Sequence, residues 1–236
     1  GIPKGVVNVV TGSAGQIGSE LTGNPKVAKI TFTGSTEIGR DLLRESAETI
    51  KKCSMELGGN APFLVFDDAD VDAAIEGAMI SKFRNGGQTC VCTNRFYVQD
   101  GVYDEFVTKL AARVSAMKIG YAMDAGTQVG PLIDIKAVEK VEEHLADAVA
   151  GGATVLAGGK RSPLGHSYFE PTVISGVTPD MKLAKEETFG PLAGVIRFTK
   201  EEDAIRMAND TEFGLASYFY ARDISRVWRV GEALEA

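Results

Sequence analysis

The sequence predicts an α/β protein built on parallel strands, and three observations carry that expectation. Short β-branched or aromatic runs recur along the chain, as in Lys29-Ile-Thr-Phe-Thr33 and Pro62-Phe-Leu-Val-Phe66. Between them lie segments of about 10–15 residues whose apolar side chains repeat at helical spacing. Glycines or aspartates stand at the junctions, where a turn or a helix cap needs them.

The elements follow in order. Val6-Val-Asn-Val-Val10 reads as a first strand, Thr11-Gly-Ser-Ala-Gly15 as a turn, and a short helix runs through Ile17 and Leu21. Lys29–Thr33 is a strand, and Gly34-Ser35 opens a helix from about Thr36 to Glu48. Met55-Glu-Leu57 and Pro62–Phe66 are strand candidates. Asp68 or Asp70 caps a helix through Val71, Ile75 and Met79. Arg95–Val98 is a strand, Val102–Met117 a helix, and Ile135–Val149 another, closed by Gly151-Gly152 before the strand Thr154–Leu156. Leu192–Phe198 (strand), Glu201–Asn209 (helix), Ala216–Tyr220 (strand) and a helix capped by Asp223 complete the pattern.

Bulk properties exclude several classes. With 236 residues the chain can bury a sizeable core in one or two domains. A net charge of −7 argues against a general nucleic-acid binder, which needs a basic face. No apolar run approaches the roughly 20 residues that span a bilayer, so no membrane partner is expected. The first residues lack a signal-peptide layout. Three cysteines, Cys53, Cys90 and Cys92, cannot all pair within one chain, and with only two histidines a zinc cluster is not expected. Both ends read as cuts in a longer chain.

Four stretches can carry chemistry, and each taken singly has an ordinary structural reading. Thr31-Phe-Thr-Gly-Ser-Thr-Glu-Ile-Gly-Arg40 is a strand–turn–helix junction whose helix N-terminus favours a phosphate. Met55-Glu-Leu-Gly-Gly-Asn60 places a glutamate in an apolar run, where burial would raise its pKa and suit a general base. Phe83-Arg-Asn-Gly-Gly-Gln-Thr-Cys-Val-Cys92 puts glycines ahead of a cysteine, so backbone N–H groups can approach the thiol and favour its thiolate. Cys53, among strand residues, fits a buried inert thiol. Lys185-Glu-Glu-Thr-Phe-Gly-Pro191 alone is a solvated charge run before a turn.

Their joint order changes the reading. Cys90 follows Glu56 by 34 residues, and Glu187 follows Cys90 by 97. The set resembles the aldehyde dehydrogenase superfamily over essentially the whole chain. The resemblance implies an aldehyde dehydrogenase-like fold. Residues 1–57 would be the second half of a Rossmann-type NAD(P)-binding domain, and residues 58–236 a C-terminally truncated α/β catalytic domain. It implies Cys90 as the nucleophile, passing through a thiohemiacetal and a thioester, and Glu56 as the general base for thioester hydrolysis. Gly34 and Ser35 would receive the pyrophosphate, Glu187 the nicotinamide ribose, and Phe189 and the Leu57 backbone would lie nearby. The cofactor would be NAD or NADP, the substrate a small-molecule aldehyde, and the assembly a homodimer or homotetramer. The location would be cytoplasmic, or the mitochondrial matrix in a eukaryote.

Phe83–Arg95, Phe66-Asp-Asp-Ala-Asp70 and Asp210-Thr-Glu-Phe-Gly-Leu215 are most similar to the succinate-semialdehyde dehydrogenases. That resemblance implies Arg84 as the holder of the substrate carboxylate, a role suited to a planar guanidinium. It also implies Cys92 as a redox partner of Cys90. Family elements absent from the chain include the oxyanion asparagine, so the isolated chain is expected to be inactive. Rival readings are glutarate semialdehyde or an uncharged aldehyde as substrate, a cofactor-free thiol esterase using Cys90 and Glu56, or an inert fragment.

Overall fold

The computed structural model describes residues 1–235. The chain divides into two compact units, Gly1–Gly58 and Gly59–Ala236. Among the described residues no helix is long and apolar enough to cross a membrane.

In the first unit, α1 (Ala14–Gly23), β1 (Lys29–Thr33), α2 (Thr36–Ala47) and β2 (Lys52–Glu56) follow one another. β1 and β2 pair in parallel, with Thr33 opposite Glu56. The turns after both strands therefore lie at the same, carboxyl, end, where open α/β sheets bind ligands. Ser35 caps α2 by accepting from the Ile38 N–H at 3.4 Å. The expected strand at Val6–Val10 does not form. No strand pairs with this segment among the described residues, and Val6, Val7, Val9 and Val10 are all exposed. β-propensity without a neighbouring ladder leaves the backbone groups to water.

The second unit is a six-stranded sheet between helices. Its strands are β3 (Ala61–Val65), β4 (Thr93–Gln99), β5 (Thr154–Ala157), β6 (Thr172–Val177), β7 (Leu192–Phe198) and β8 (Tyr218–Tyr220), in the order β5-β6-β7-β4-β3-β8. All pairs are parallel except edge strand β5, which runs antiparallel to β6. The fully buried strand β3 explains its unbroken apolar sequence, since both faces of a covered parallel sheet are interior. Period-two alternation sorts its side chains. Phe63 and Val65 pack with Phe96 and Val98 against α3 (Val71–Phe83) and α4 (Asp100–Ser115). Leu64 and Phe66 pack against α5 (Ile135–Ala150), α7 (Glu201–Asn209) and α8 (Ile224–Ala233). Strand β6 was not expected. Gly176, at φ 71°, breaks its alternation where the register shifts between Ser175 and Val177.

Aspartates cap three helices: Asp70 accepts from Ala73 N–H at 3.1 Å, Asp134 from Ala137 at 2.9 Å and Asp223 from Arg226 at 2.7 Å. The acidic run Asp67–Asp68 docks α8. The Arg226 guanidinium, 4.9 Å from the Phe66 ring centroid, pairs with Asp67, Asp68 and Glu201. Arg95 on β4 is 1% exposed and plays the corresponding part at the end of α7. It donates to the carbonyls of Met207 (2.9 Å), Ala208 (2.8 Å) and Asn60 (2.9 Å). A cation here meets the negative end of the helix and satisfies carbonyls that have no intrahelical partner. Arg95→Met is expected to take this donor from the Ala208 and Asn60 carbonyls, while Met207 keeps Tyr97 Oη at 3.1 Å, and to cost about 2–4 kcal/mol, read as a lower urea midpoint at unchanged slope.

Candidate active site

Helix α3 delivers the central loop. Its last turn is pinned by Ser81 Oγ, which hydrogen-bonds Thr93 Oγ1 at 2.8 Å at the start of β4. The chain then turns through Arg84–Gly87, with Asn85, Gly86 and Gly87 at φ 51°, 63° and 78°. Such a left-handed run requires glycine or asparagine. Gly87 is needed twice over, because a Cβ there would sit 2.2 Å from the Gly190 carbonyl oxygen. Gln88 ties the loop to its surroundings by accepting from Ile133 N–H at 2.9 Å.

Cys90 is half-buried, in a turn closed by Cys92 N–H donating to the Thr89 carbonyl at 2.9 Å. A Cβ on Gly59 would lie 2.1 Å from the Cys90 carbonyl oxygen, so this glycine of the Glu-Leu-Gly-Gly-Asn motif permits the approach. Tyr218 Oη donates to the Val91 carbonyl at 2.7 Å. Burial raises the Tyr218 phenol above its ordinary 10, Arg84 opposes this, and Cys92 and Cys90 add to it. Arg84 is exposed. Cys92 differs from Cys90: it is buried, with Sγ 2.9 Å from Thr89 Oγ1. All three cysteines are free thiols.

The Glu187 loop packs against the same region. Glu187 Oε1 accepts from Gly59 N–H at 3.1 Å. Behind it is a buried polar network that sequence reasoning missed. Asn94 Nδ2 donates to Asn60 Oδ1 (2.7 Å) and to the carbonyls of Leu183 and Glu186 (both 2.9 Å). Asn94 Oδ1 accepts from Thr188 N–H at 3.2 Å. His144 of α5 pairs with Thr188 Oγ1 at 3.0 Å and Glu186 Oε2 at 3.3 Å. Phe189 sits at φ 53°, a strained setting for a bulky residue, and stays partly exposed. Lys82, on the last turn of α3, is buried, and burial lowers its pKa from the ordinary 10.5 to about 8, with Cys92 and Glu187 opposing the fall. The apolar stripe Val71, Ile75, Met79 leads on to Lys82 at helical spacing, a signal the sequence did contain.

In the first unit, Gly34 N–H donates to the Glu56 carbonyl at 3.0 Å, which joins the turn after β1 to the end of β2. A Cβ on Gly34 would meet the Phe32 ring at 2.3 Å. Leu57 packs on Gly39 of α2, where a Cβ would come within 2.3 Å of it. The first turn of α2 offers N–H groups with no intrahelical acceptor, and the buried Thr36 Oγ1 beside them has no partner. These residues fit a dinucleotide pyrophosphate. Two expectations need correcting. Glu56 is exposed rather than buried, because strand β2 alternates exposed and half-buried side chains over its length. Cys53 is half-buried, its Sγ 3.7 Å from the Lys51 carbonyl.

The sequence profile described as the aldehyde dehydrogenase family matches residues 1–236. The chain belongs to the aldehyde dehydrogenase family. Among its relatives are glutarate-semialdehyde dehydrogenase of Pseudomonas aeruginosa, 66% identical over 235 residues, and the NADP(+) succinate-semialdehyde dehydrogenase of Escherichia coli, 64% identical. Each alignment covers 100% of this chain and 49% of the relative. A 3-sulfolactaldehyde dehydrogenase of Pseudomonas putida is 63% identical, with 100% of this chain and 48% of the relative covered. Among solved structures, an NADP-dependent enzyme of E. coli matches with a TM-score of 0.98 at 64% identity, covering 100% of this chain and 49% of that one. This aldehyde dehydrogenase chain therefore spans about half the length of these relatives.

Two measurements probe this frame. Burial, aided by Lys140, lowers the His144 pKa from its ordinary 6.5, with Glu186 opposing. The unfolded chain then takes up a proton more readily, so stability is full above 6.5 and falls as the pH drops below it. Urea unfolding between pH 7.5 and 5.5 should show a loss of up to about 1.4 kcal/mol per pH unit, absent in His144→Gln. Gly59→Ala should displace the Cys90 carbonyl, seen as a changed rate of Cys90 alkylation by iodoacetamide together with a lower melting temperature.

Proposed function

We propose that the enzyme containing this segment oxidises a small aldehyde bearing a distal carboxylate, with succinate semialdehyde as the substrate. The observation that carries this reading is that exposed Arg84 opens, and half-buried Cys90 closes, one short glycine-bearing loop after α3. A nucleophile and a guanidinium on one short loop suit a substrate with an electrophilic carbon at one end and an anion at the other. The relatives named for succinate and glutarate semialdehydes act on such molecules. Glutarate semialdehyde, one methylene longer, is the second reading, and it rests on the 66% identity to an enzyme of that name.

In the proposed reaction the Cys90 thiolate attacks the aldehyde carbon, and the carbonyl π electrons move to oxygen to give a thiohemiacetal. A bound nicotinamide supplies the hydride acceptor. Cys90 then carries the acyl group as a thioester. Glu56, exposed at the carboxyl end of β2, takes the proton of the water that cleaves this thioester, which frees the Cys90 thiolate and the acid. Gly34, Ser35 and the first turn of α2 would hold the pyrophosphate. Glu187 would accept the nicotinamide ribose hydroxyls, with Phe189 and the Leu57 backbone bounding the ring. NAD and NADP both remain within this reading, and the assembly is proposed to be a dimer or tetramer.

Kinetics of the enzyme at full family length test each role. Cys90→Ser should abolish aldehyde oxidation. Glu56→Gln should slow thioester hydrolysis by about 10²–10⁴-fold while leaving one rapid turnover of cofactor reduction. Arg84→Ala should lower kcat/KM for succinate semialdehyde by about 10- to 100-fold and leave an uncharged aldehyde such as propanal almost unaffected. Equal losses on both aldehydes would remove the carboxylate reading, and ester hydrolysis without any aldehyde oxidation would favour a thiol esterase. Comparing kcat/KM for succinate and glutarate semialdehydes decides the chain length.

A further inference from the structure

A turn can be shaped by its own hydrogen bonds, but those bonds do not set where it sits in the fold. In the turn that carries Cys90, the internal bonds are Cys92 N–H to the Thr89 carbonyl and the contact of Thr89 Oγ1 with Cys92 Sγ, each at 2.9 Å. Cys90 and Val91 are its central residues, and both are half-buried. Groups from elsewhere in the chain place it. Gly59 abuts the Cys90 carbonyl so closely that a Cβ would lie 2.1 Å from the oxygen, and this contact acts as a stop. Earlier in the same loop, Gly87 abuts Gly190, in the loop that follows α6 (Lys182–Lys185). Such contacts only exclude. At the turn itself, the directed attraction comes from Tyr218, whose Oη donates to the Val91 carbonyl at 2.7 Å.

A tyrosine at position 218 exceeds what packing requires. Strand β8 has three residues and stands at the sheet edge, with Tyr218 opposite Phe63 of β3. The two ring centroids are 6.1 Å apart, a contact that phenylalanine would keep. What the phenol adds is one hydrogen bond, to an acceptor 127 residues away in the chain. Burial holds the phenol above its ordinary 10, so it stays a protonated donor at and above neutral pH. The Val91–Cys92 peptide is thereby fixed at both ends, its carbonyl by Tyr218 and its N–H by Thr89. Rotating that peptide plane would break both bonds, since each depends on direction. With the backbone held, the Cys90 sulfur moves by rotation about χ1 alone.

We propose that Tyr218 is a positioning residue for the nucleophile: its phenol holds the Val91 carbonyl and so fixes the turn from which the Cys90 sulfur meets the aldehyde carbon. This rests on the reading of Cys90 given above. Attack requires sulfur and carbon to approach in alignment to about 3–3.5 Å, and a displacement of about 1 Å costs on the order of 10²-fold in rate. Without the tie to β8 the turn samples other settings, and a bound aldehyde is attacked less often. Holding the aldehyde does not use the Val91 carbonyl. The steps that lead to the thioester should therefore slow while aldehyde affinity is kept.

The test is stopped-flow cofactor reduction in a single turnover, with the full-length enzyme in excess over aldehyde and with saturating cofactor. The aldehyde is whichever of succinate semialdehyde, glutarate semialdehyde and propanal wild type oxidises fastest. Varying the enzyme concentration gives a maximal rate and a half-saturating concentration. Tyr218→Phe keeps the ring and removes the hydroxyl. Its maximal rate should fall by about 5- to 10-fold, the worth of one hydrogen bond needed in the transition state, with half-saturation within about twofold of wild type. Tyr220→Phe removes a hydroxyl from the same face of the same strand and should match wild type. Thermal melts check folding, and a merely structural bond would lower the melting temperature without changing the rate per folded enzyme. If Tyr218→Phe does not fold, 3,5-difluorotyrosine at position 218 decides, because it keeps the ring and is a much stronger acid. Its rate relative to wild type should fall between pH 6.5 and 9.0, as a phenolate forms where the donor stood. A Tyr218→Phe maximal rate equal to that of wild type overturns the proposal. So does an equal loss in Tyr220→Phe, a loss confined to half-saturation, or a flat ratio for the difluorotyrosine enzyme. Cys90→Ser separates the two readings. If it abolishes oxidation while Tyr218→Phe matches wild type, only the Tyr218 proposal fails. If Cys90→Ser oxidises aldehyde as wild type does, the Cys90 reading fails and takes this one with it.

Discussion

The buried amide of Asn94 holds the second unit's site together. It stands at the start of β4 and reaches Asn60 at the start of β3, the carbonyls of Leu183 and Glu186, and the Thr188 N–H. Three stretches far apart in the chain are bound to one planar group with both donor and acceptor atoms in use. In a low-dielectric interior each such bond is strong, and each is costly to leave unmade. The Glu187 loop carries little regular structure of its own, so its shape comes from Asn94 on one side and His144 on the other. Asn60 extends the network to Thr211, and its backbone carbonyl takes a bond from Arg95.

Close backbone approach is the second constraint. Gly59 lies against the Cys90 carbonyl, and Gly87 against Gly190. A side chain at Gly87 would push the nucleophile loop away from the Glu187 loop, and one at Gly59 would push it away from the segment that leads into β3. Asn85 and Phe189 accept left-handed backbone on the two facing loops, a cost of about 1–3 kcal/mol each that the surrounding packing must offset. Strain of this kind is found where a surface has been shaped for a ligand instead of for stability.

Charge is placed with similar economy. The unit buries two cations in different ways. Arg95 spreads its charge over backbone carbonyls at the end of α7, a structural use. Lys82 keeps a compact charge enclosed on the last turn of α3, where burial lowers its pKa from 10.5 to about 8. The difference follows from the side chains: a guanidinium can satisfy several acceptors at once, whereas an ammonium is a point charge whose protonation responds to burial.

Much was legible from sequence, because the signals are local. Strand and helix periods, the aspartate caps at Asp70 and Asp223, and glycines at turns depend on neighbours a few residues away, and the elements stand close to where those signals place them. The ordered motifs around Glu56, Cys90 and Glu187 were enough to indicate the aldehyde dehydrogenase family. Local signals also misled. Val6–Val10 has strand composition but no strand beside it, and β6 is a true strand whose glycine bulge hides its period. Tertiary structure alone decided the rest. It left Glu56 exposed, sent Cys92 inward while Cys90 stayed within reach, and brought Tyr218 to the nucleophile loop across 127 residues of chain. It also enclosed Lys82 and joined Asn94, Asn60 and His144 into one network. Burial and long-range pairing are properties of the packed chain, and no stretch of sequence carries them by itself.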